Sequence, residues 1–360
     1  MYMSPFVSLQ KTNRTPGCES ILRWLPVALA SFTVLLAAGC PKKKPKGPEL
    51  PGVAQIAGKV RVFTESSPVR ALVASAGSLW VGTHNGLIRW NLKSGGAIHL
   101  TSDDGLPGNE ILALASDGQN GLWVATPGGV AAFKEGRWTQ FGDCPLGSEI
   151  ETLTPAGDGG SVWVGGQGGL YRHIFGRWQE VTKDVHVTAL LSGTKEGSVW
   201  LGTRKKGVLS CSAAGCKPFG ASKGLTFTNV RKLSFGMKGI LAVGSTNQGD
   251  RLAMFLEKKW HTYRIVGSKA LLDWVRFAMG KTFVSAGSKV YTLVEGQPKG
   301  KKGKGLLRLK GPSGSPKYSL VPVKLPLSSP VTQVSGALGY LWIGTQSLGV
   351  IRYDGKRFVH

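Results

Sequence analysis

The sequence predicts an all-β fold: a seven-bladed β-propeller of four-stranded antiparallel blades, preceded by an export signal and an extended linker. Three observations predict it. A strand motif, tryptophan-bearing in five of its seven copies, recurs along the chain at a period of about 40 residues. Each unit breaks into short runs of alternating apolar and polar residues bounded by turn residues. Gly supplies 52 of the 360 residues, as many tight turns between short strands require.

The motif is clearest as Gly77-Ser78-Leu79-Trp80-Val81-Gly82-Thr83. It returns around Trp123, Trp163, Trp200 and Trp342, and in degenerate form with Ala242 and Phe283 at the Trp position. The steps are 43, 40, 37, 42, 41 and 59 residues. The long last step contains the Gly/Lys-rich stretch 296–316, read as a loop insertion. A period near 40 with several strands per unit is the signature of propeller blades, and the propeller is predicted over 59–360.

Each unit resolves into four strands. The first carries two apolar residues three apart, as in Val69/Leu72, Ile150/Leu153 and Val331/Val334. The second bears the Trp. The third follows a Gly turn, as in Gly86-Leu87-Ile88-Arg89-Trp90, and the fourth is often aromatic, as in Arg137-Trp138-Thr139-Gln140-Phe141. A four-stranded sheet cannot bury both faces alone; stacking blades face to face does so, and closing the ring removes the free ends of the array. Trp80, Trp123, Trp163, Trp200 and Trp342 are therefore read as structural core between blades. Both the segment Lys59–Thr64 and the segment Arg357–His360 read as a fourth strand for the last blade, and the sequence leaves that choice open.

The pattern resembles the two-component-regulator propeller repeat, with the lead-in turn Asp104-Gly105-Leu106-Pro107-Gly108-Asn109 followed by Gly121-Leu122-Trp123-Val124. The resemblance covers about residues 60–360 and is weakest in the fifth and sixth units. It implies kinship with the periplasmic sensor parts of membrane-bound histidine kinases and with stand-alone secreted propellers. No kinase segment follows in this sequence, so a signalling role does not transfer directly.

The N-terminal segment 1–39 reads as a signal peptide. Lys11, Arg14 and Arg23 precede an apolar run over Leu25–Ala38, too short for a membrane span. Ala37-Ala38-Gly39-Cys40 then resembles the lipobox of bacterial lipoproteins. The resemblance implies cleavage between Gly39 and Cys40 and diacylglycerol acylation, commonly with palmitate, at Cys40. Segment 40–58, rich in Pro and Lys, reads as a disordered tether. Two or three acyl chains hold a protein stably at a membrane. The expected location is thus the cell envelope, lipid-anchored, at the outer membrane facing the periplasm or the cell surface.

Of the five cysteines, Cys18 leaves with the signal and Cys40 becomes the anchor. Cys211 and Cys216 flank a short turn between two strand-like runs, a spacing that permits a disulfide in an oxidising compartment. Cys144 stands alone, and no pair has metal-binding spacing. The formal net charge is +25, from 45 Lys and Arg against 20 Asp and Glu. A basic chain attracts polyanions, but no nucleic-acid-binding motif is present and the export signal argues against that partner.

No catalytic constellation is recognised: the six histidines lack ligand spacing, and the Gly pairs sit in hairpin turns rather than before helices. No cofactor or metal is called for. The turns between second and third strands share a face with the connections between blades. They supply His84, Asn85, Gln167, Arg204, Lys205, Lys206, Asn247, Gln248 and Gln346 as candidate binding residues. The expected function is a non-enzymatic binding, sensing or scaffold module, monomeric, for an envelope protein or acidic polysaccharide. The alternatives are a propeller enzyme, lyase-like or a quinone-dependent dehydrogenase, and an envelope assembly factor. A lyase would need groups such as His84, His186 and Arg204 to converge on one substrate.

Overall fold

The structure is a computed structural model. It describes residues 68–356 except 159, 194, 196, 267–270, 297–305, 314–316, 325–327 and 338, together with the backbone of 53–56 and 60–63. The chain divides into two units, Met1–Gly47 and Pro48–His360, and the described residues all belong to the second. The signal peptide, Gly39 and Cys40 lie outside the described residues, as does most of the linker.

The fold is an all-β propeller of antiparallel sheets, with helix confined to three single 3-10 turns among the described residues. The chain begins with β1 (Val53–Ile56) and β2 (Val60–Phe63). The first four-stranded unit holds β3 (Ala71–Ser75), β4 (Ser78–Gly82), β5 (Leu87–Asn91) and β6 (Ala97–Leu100). The second holds β7 (Ala113–Ser116), β8 (Leu122–Thr126), β9 (Gly129–Lys134) and β10 (Arg137–Gln140). The third holds β11 (Ile150–Pro155), β12 (Val162–Gly166), β13 (Gly169–Ile174) and β14 (Arg177–Lys183). The fourth holds β15 (Val187–Ser192), β16 (Val199–Thr203), β17 (Val208–Ser212) and β18 (Gly215–Pro218). Each is a meander in sequence order, the arrangement that two-residue and Gly-containing turns favour.

The remaining strands depart from that simple pattern. β19 (Asn229–Phe235), β20 (Ile240–Thr246), β21 (Gly249–Leu256) and β22 (Lys259–Val266) form a fifth meander. β23 (Trp274–Ala278), β24 (Lys281–Ala286) and β25 (Lys289–Glu295) start a sixth. Its fourth place is taken by β27 (Tyr318–Pro322), and β26 (Leu307–Lys310) pairs with both β22 and β27. The two meanders thereby become one nine-stranded sheet. Part of the stretch read as a loop insertion is therefore a strand. Its physical basis is a period of two hidden among lysines: Leu307 and Leu309 are buried, while Arg308 and Lys310 point out.

The last sheet has the order β1-β2-β30-β29-β28, with β28 (Val331–Ala337), β29 (Tyr340–Thr345) and β30 (Val350–Tyr353). Phe63 of β2 pairs with Val350 of β30, so the early segment occupies the fourth position; residues 357–360 lie outside the described ones.

The first strands pack in a cycle: β3 on β7, β7 on β11, β11 on β15, β15 on β19, β19 on β23, β23 on β28, and β28 back on β3. The core lies between sheets. Trp80, Trp123, Trp163, Trp342 and Phe283 are buried there; in the fifth unit the motif is shifted by one residue, so that Leu241 faces the following unit and Ala242 the preceding one. Trp200 is half-buried and packs against Phe219 at a ring-centroid distance of 4.0 Å. Three tryptophans carry an arginine over the ring from the neighbouring strand: Arg89 on Trp80, Arg172 on Trp163 and Arg352 on Trp342, at 5.2, 5.0 and 5.7 Å. Such a cation over an indole adds to the packing.

The small residues of the motif have definite tasks. Glycine two residues after the Trp lets the next unit's first apolar side chain approach. A Cβ on Gly82 would lie 2.5 Å from Ile111 Cγ2, one on Gly165 2.5 Å from Val187 Cγ1, and one on Gly202 2.7 Å from Val230 Cγ1. The following threonine closes the turn: the hydroxyls of Thr83, Thr203 and Thr345 donate to the carbonyls of Gly86, Gly207 and Gly349 at 2.8–3.0 Å.

Candidate functional site

The turns that hold the candidate binding residues lie against the connections that lead into first strands. The Gln167 N–H donates to the Glu149 carbonyl at 3.3 Å, that of Arg204 to His186 at 3.0 Å, and that of Gln346 to Pro330 at 3.0 Å. Across neighbouring sheets, Ile111 N–H donates to the Thr83 carbonyl and Gly207 N–H to Thr228, both at 2.9 Å. At these places turns and connections share one side of their sheets and are tied together by backbone bonds. Side chains on turns so tied are preorganised for contact.

Between the fourth and fifth units this face has a cavity of about 590 Å³. Its wall is the segment Thr226–Asn229, together with Ser245, Thr246, Asn247, Gln248 and Arg251. Asn229 Nδ2 donates to Ser245 Oγ at 2.8 Å, and the Arg251 guanidinium donates to the Gly249 carbonyl at 3.1 Å. The turn Arg204–Lys206 borders the same segment through the Gly207 to Thr228 bond, and its three side chains are exposed. The turn Arg204–Lys206 thus stands beside one wall of a hydroxyl- and amide-lined recess whose own lining cation is Arg251. His84, Asn85, Gln167 and Gln346 stand on the turns of other sheets and do not line this recess.

The titratable groups of the face are largely paired with one another. Arg70 donates to Glu110 Oε1 at 2.5 Å, and His84 Nδ1 lies 3.5 Å from the same oxygen. His186 pairs with Glu151. Asp250, almost wholly buried, takes Arg231 and the Leu272 N–H. His186 and Arg204 are neighbours through a backbone bond, but His84 belongs to the first unit and to a different carboxylate. The three groups that a lyase would need at one substrate are thus divided between separate pairs. No group of three or more His, Cys, Asp or Glu is placed to hold a metal among the described residues.

Cys211 and Cys216 are opposite residues of β17 and β18 and are joined by a disulfide with Cα atoms 4.1 Å apart. Cys144 is buried; burial pushes its thiol up to about 11 against the pull of the Leu146 and Gly147 N–H groups. A thiol held protonated is a poor nucleophile.

The side-by-side first strands enclose a second cavity of about 310 Å³ along the axis of the ring. Lys232 of β19 and Arg276 of β23 line it, and so does Trp274, two residues before Arg276 on the same strand. Neither cation stands out in the sequence, because both sit within strands whose legible feature is an apolar pair, Val230/Leu233 and Leu272/Val275.

A family model described as Two component regulator propeller matches residues 105–128, which run from the lead-in turn through β8. The chain carries this repeat. No curated protein sequence matches the chain. Among solved structures, the β-propeller domain of Myceliophteria thermophila Cps50 (Swd1) aligns with a TM-score of 0.58 at 12% identity, over 81% of this chain and 98% of that one. YCF48 bound to D1 peptide aligns with a TM-score of 0.54 at 13% identity, over 82% and 94%. The extracellular domain of a putative one component system from B. thetaiotaomicron aligns at 12% identity with a TM-score of 0.42, over 85% of this chain; the chain spans 59% of that domain's length.

Proposed function

We propose that this chain is a recognition module of the cell envelope: a seven-bladed propeller, tethered through an acylated Cys40, that holds a protein or acidic polysaccharide partner against its turn-bearing face. The observation that carries this reading is the recess of about 590 Å³ lined by Asn247, Gln248 and Arg251, with the exposed basic turn Arg204–Lys206 beside its wall segment. Its hydroxyls and amides offer hydrogen bonds in both directions, as sugar hydroxyls or a peptide backbone require. The basic turn beside it attracts an acidic partner over a distance of about 10 Å at moderate salt.

Seven blades are supported by the cycle of seven first strands, with the fifth and sixth units joined through β26. An envelope location is supported by the N-terminal pattern ending in Cys40 and by the propeller repeat, and the basic tether would lie against an anionic surface. Binding rather than turnover is favoured because His84 and His186 belong to separate pairs, with Glu110 and Glu151, instead of converging on one substrate. The propeller fold itself accommodates peptides, as the peptide-bound YCF48 structure shows for that protein; fold alone does not choose the ligand.

Incubating the purified protein with acidic and neutral envelope polysaccharides, while following both retention and release of new chain ends, tests this reading. Retention without new ends is the expected result. Steady production of unsaturated or reducing ends would replace the binding module with an enzyme.

A further inference from the structure

The axial cavity carries a charge imbalance that the face does not explain. Four ionisable side chains line it: Arg70, Glu151, Lys232 and Arg276. Arg70 is neutralised by Glu110, and Glu151 is paired with His186. Lys232 and Arg276 are left without an ion-pair contact among the described residues, although Glu151 still acts on Lys232 through space. Lys232 Nζ lies 4.0 Å from the centre of the Trp274 ring, a cation–π contact that supplies no hydrogen-bond acceptor. Arg276 has no hydrogen-bond or ion-pair partner among the described residues.

Both cations line the narrow cavity and are half-buried. Burial holds each below its ordinary value, with Lys232 brought down to about 8 by desolvation against the opposing pull of Glu151. A guanidinium has five N–H donors and an ammonium three. Leaving a buried charge without acceptors is expensive, and an anion relieves that cost.

The placement suits a small ligand with two acceptor oxygens. Lys232 and Trp274 each sit two residues beyond the buried apolar residue that leads their strand, Val230 and Leu272, and so occupy one level of the ring. Arg276 stands two residues further along β23, about 6–7 Å deeper at the usual strand rise. The cavity, about 310 Å³, is at the small end of ligand sites. Among the described residues, the one carboxylate lining it is already engaged.

We propose that the axial cavity is a binding site for a single small oxyanion, held between Lys232 and Arg276. The ligand class is a carboxylate or phosphate group, either as a free ion or as the acidic group of a sugar. The site is distinct from the recess on the face, and its existence does not depend on what the face recognises.

The test uses the full chain in detergent, titrated calorimetrically with sodium phosphate and with sodium glucuronate at constant ionic strength set by chloride. The expected result is one saturable site for at least one of them. K232Q and R276Q should each weaken it at least about tenfold, the loss expected when one charged hydrogen-bond donor is removed, whereas K93Q, on an exposed turn that lines neither cavity, leaves it unchanged. The two ligands separate the sources: preference for phosphate points to a free ion, preference for glucuronate to an acidic sugar. K232R keeps the charge and should retain binding, which covers the case that a glutamine variant misfolds. Non-saturable uptake, or equal affinity in wild type and in K232Q and R276Q, overturns the proposal.

Discussion

Val69, at the entry to the first unit, packs directly on Gly344 in the last: a Cβ on that glycine would lie 2.6 Å from Val69 Cγ1. The Val69 N–H also donates to the Thr345 carbonyl at 3.2 Å. This contact repeats, across the closure of the ring, the approach of Ile111 to Gly82 and of Val230 to Gly202. The closing interface is thus built from the same motif as the internal ones.

G344A should accordingly destabilise the propeller. The added methyl must displace a buried valine, a form of overpacking that costs about 1–3 kcal/mol. Adding V69A should return part of that loss, because the two residues share one space. Denaturant unfolding of the single and double variants measures it.

The motif tryptophans should differ in their contributions. Trp163 is fully buried beneath Arg172, so W163A is expected to cost about 3–5 kcal/mol. Trp200 is half-buried, and W200A should cost less. Comparing the two unfolding free energies under one set of conditions decides it.

The pair Asp158–Arg172 should make stability depend on acid. Burial pushes the Asp158 carboxyl up, but hydrogen bonds from Ser161, Gly160 and Arg172 outweigh this and hold it below its ordinary 3.8. A carboxylate with a depressed pKa stabilises the fold above the unfolded-state value and loses that contribution as pH falls through the folded one. At pH 7 D158N should be less stable than wild type by about 1–3 kcal/mol. That difference should shrink towards zero as the pH is lowered below 3.8, followed by thermal unfolding.

Lys232 should act with the opposite sign. Its folded-state value of about 8 lies below its ordinary 10.5. The unfolded chain therefore holds more protons between those limits, and stability rises with pH through that window. In chloride at pH 7 K232M should be the more stable protein, by on the order of 1–2 kcal/mol once solvent reaching the cavity is allowed for. Its advantage should fade as pH approaches 10.5. Melting curves across that range test the sign.

Much of the ring is readable in the linear sequence because each unit writes the same physical requirements. Trp80 and its equivalents announce buried sheet faces, and the Gly-Thr pairs announce a close approach and a turn. The β26 strand is not readable, since Leu307 and Leu309 are embedded in lysines and glycines and their partners, Leu320 and Ile265, lie at separated places in the chain. The recess is half-readable: the turns Arg204–Lys206 and Asn247–Gln248 can be assigned to one face, but not to the neighbourhood of the common segment Thr226–Asn229. Lys232 and Arg276 are invisible as a pair because only the cyclic packing of first strands places β19 beside β23.

The most direct test of the recognition role is to use the tethered protein to capture binding partners from detergent-solubilised envelope at moderate salt, beside R204S/K205S/K206S and N247A/Q248A variants. One partner at fixed stoichiometry is expected, retained by wild type and lost from both variants. Equal capture by all three proteins, or material that merely fades with salt, would contradict a recognition site on that face.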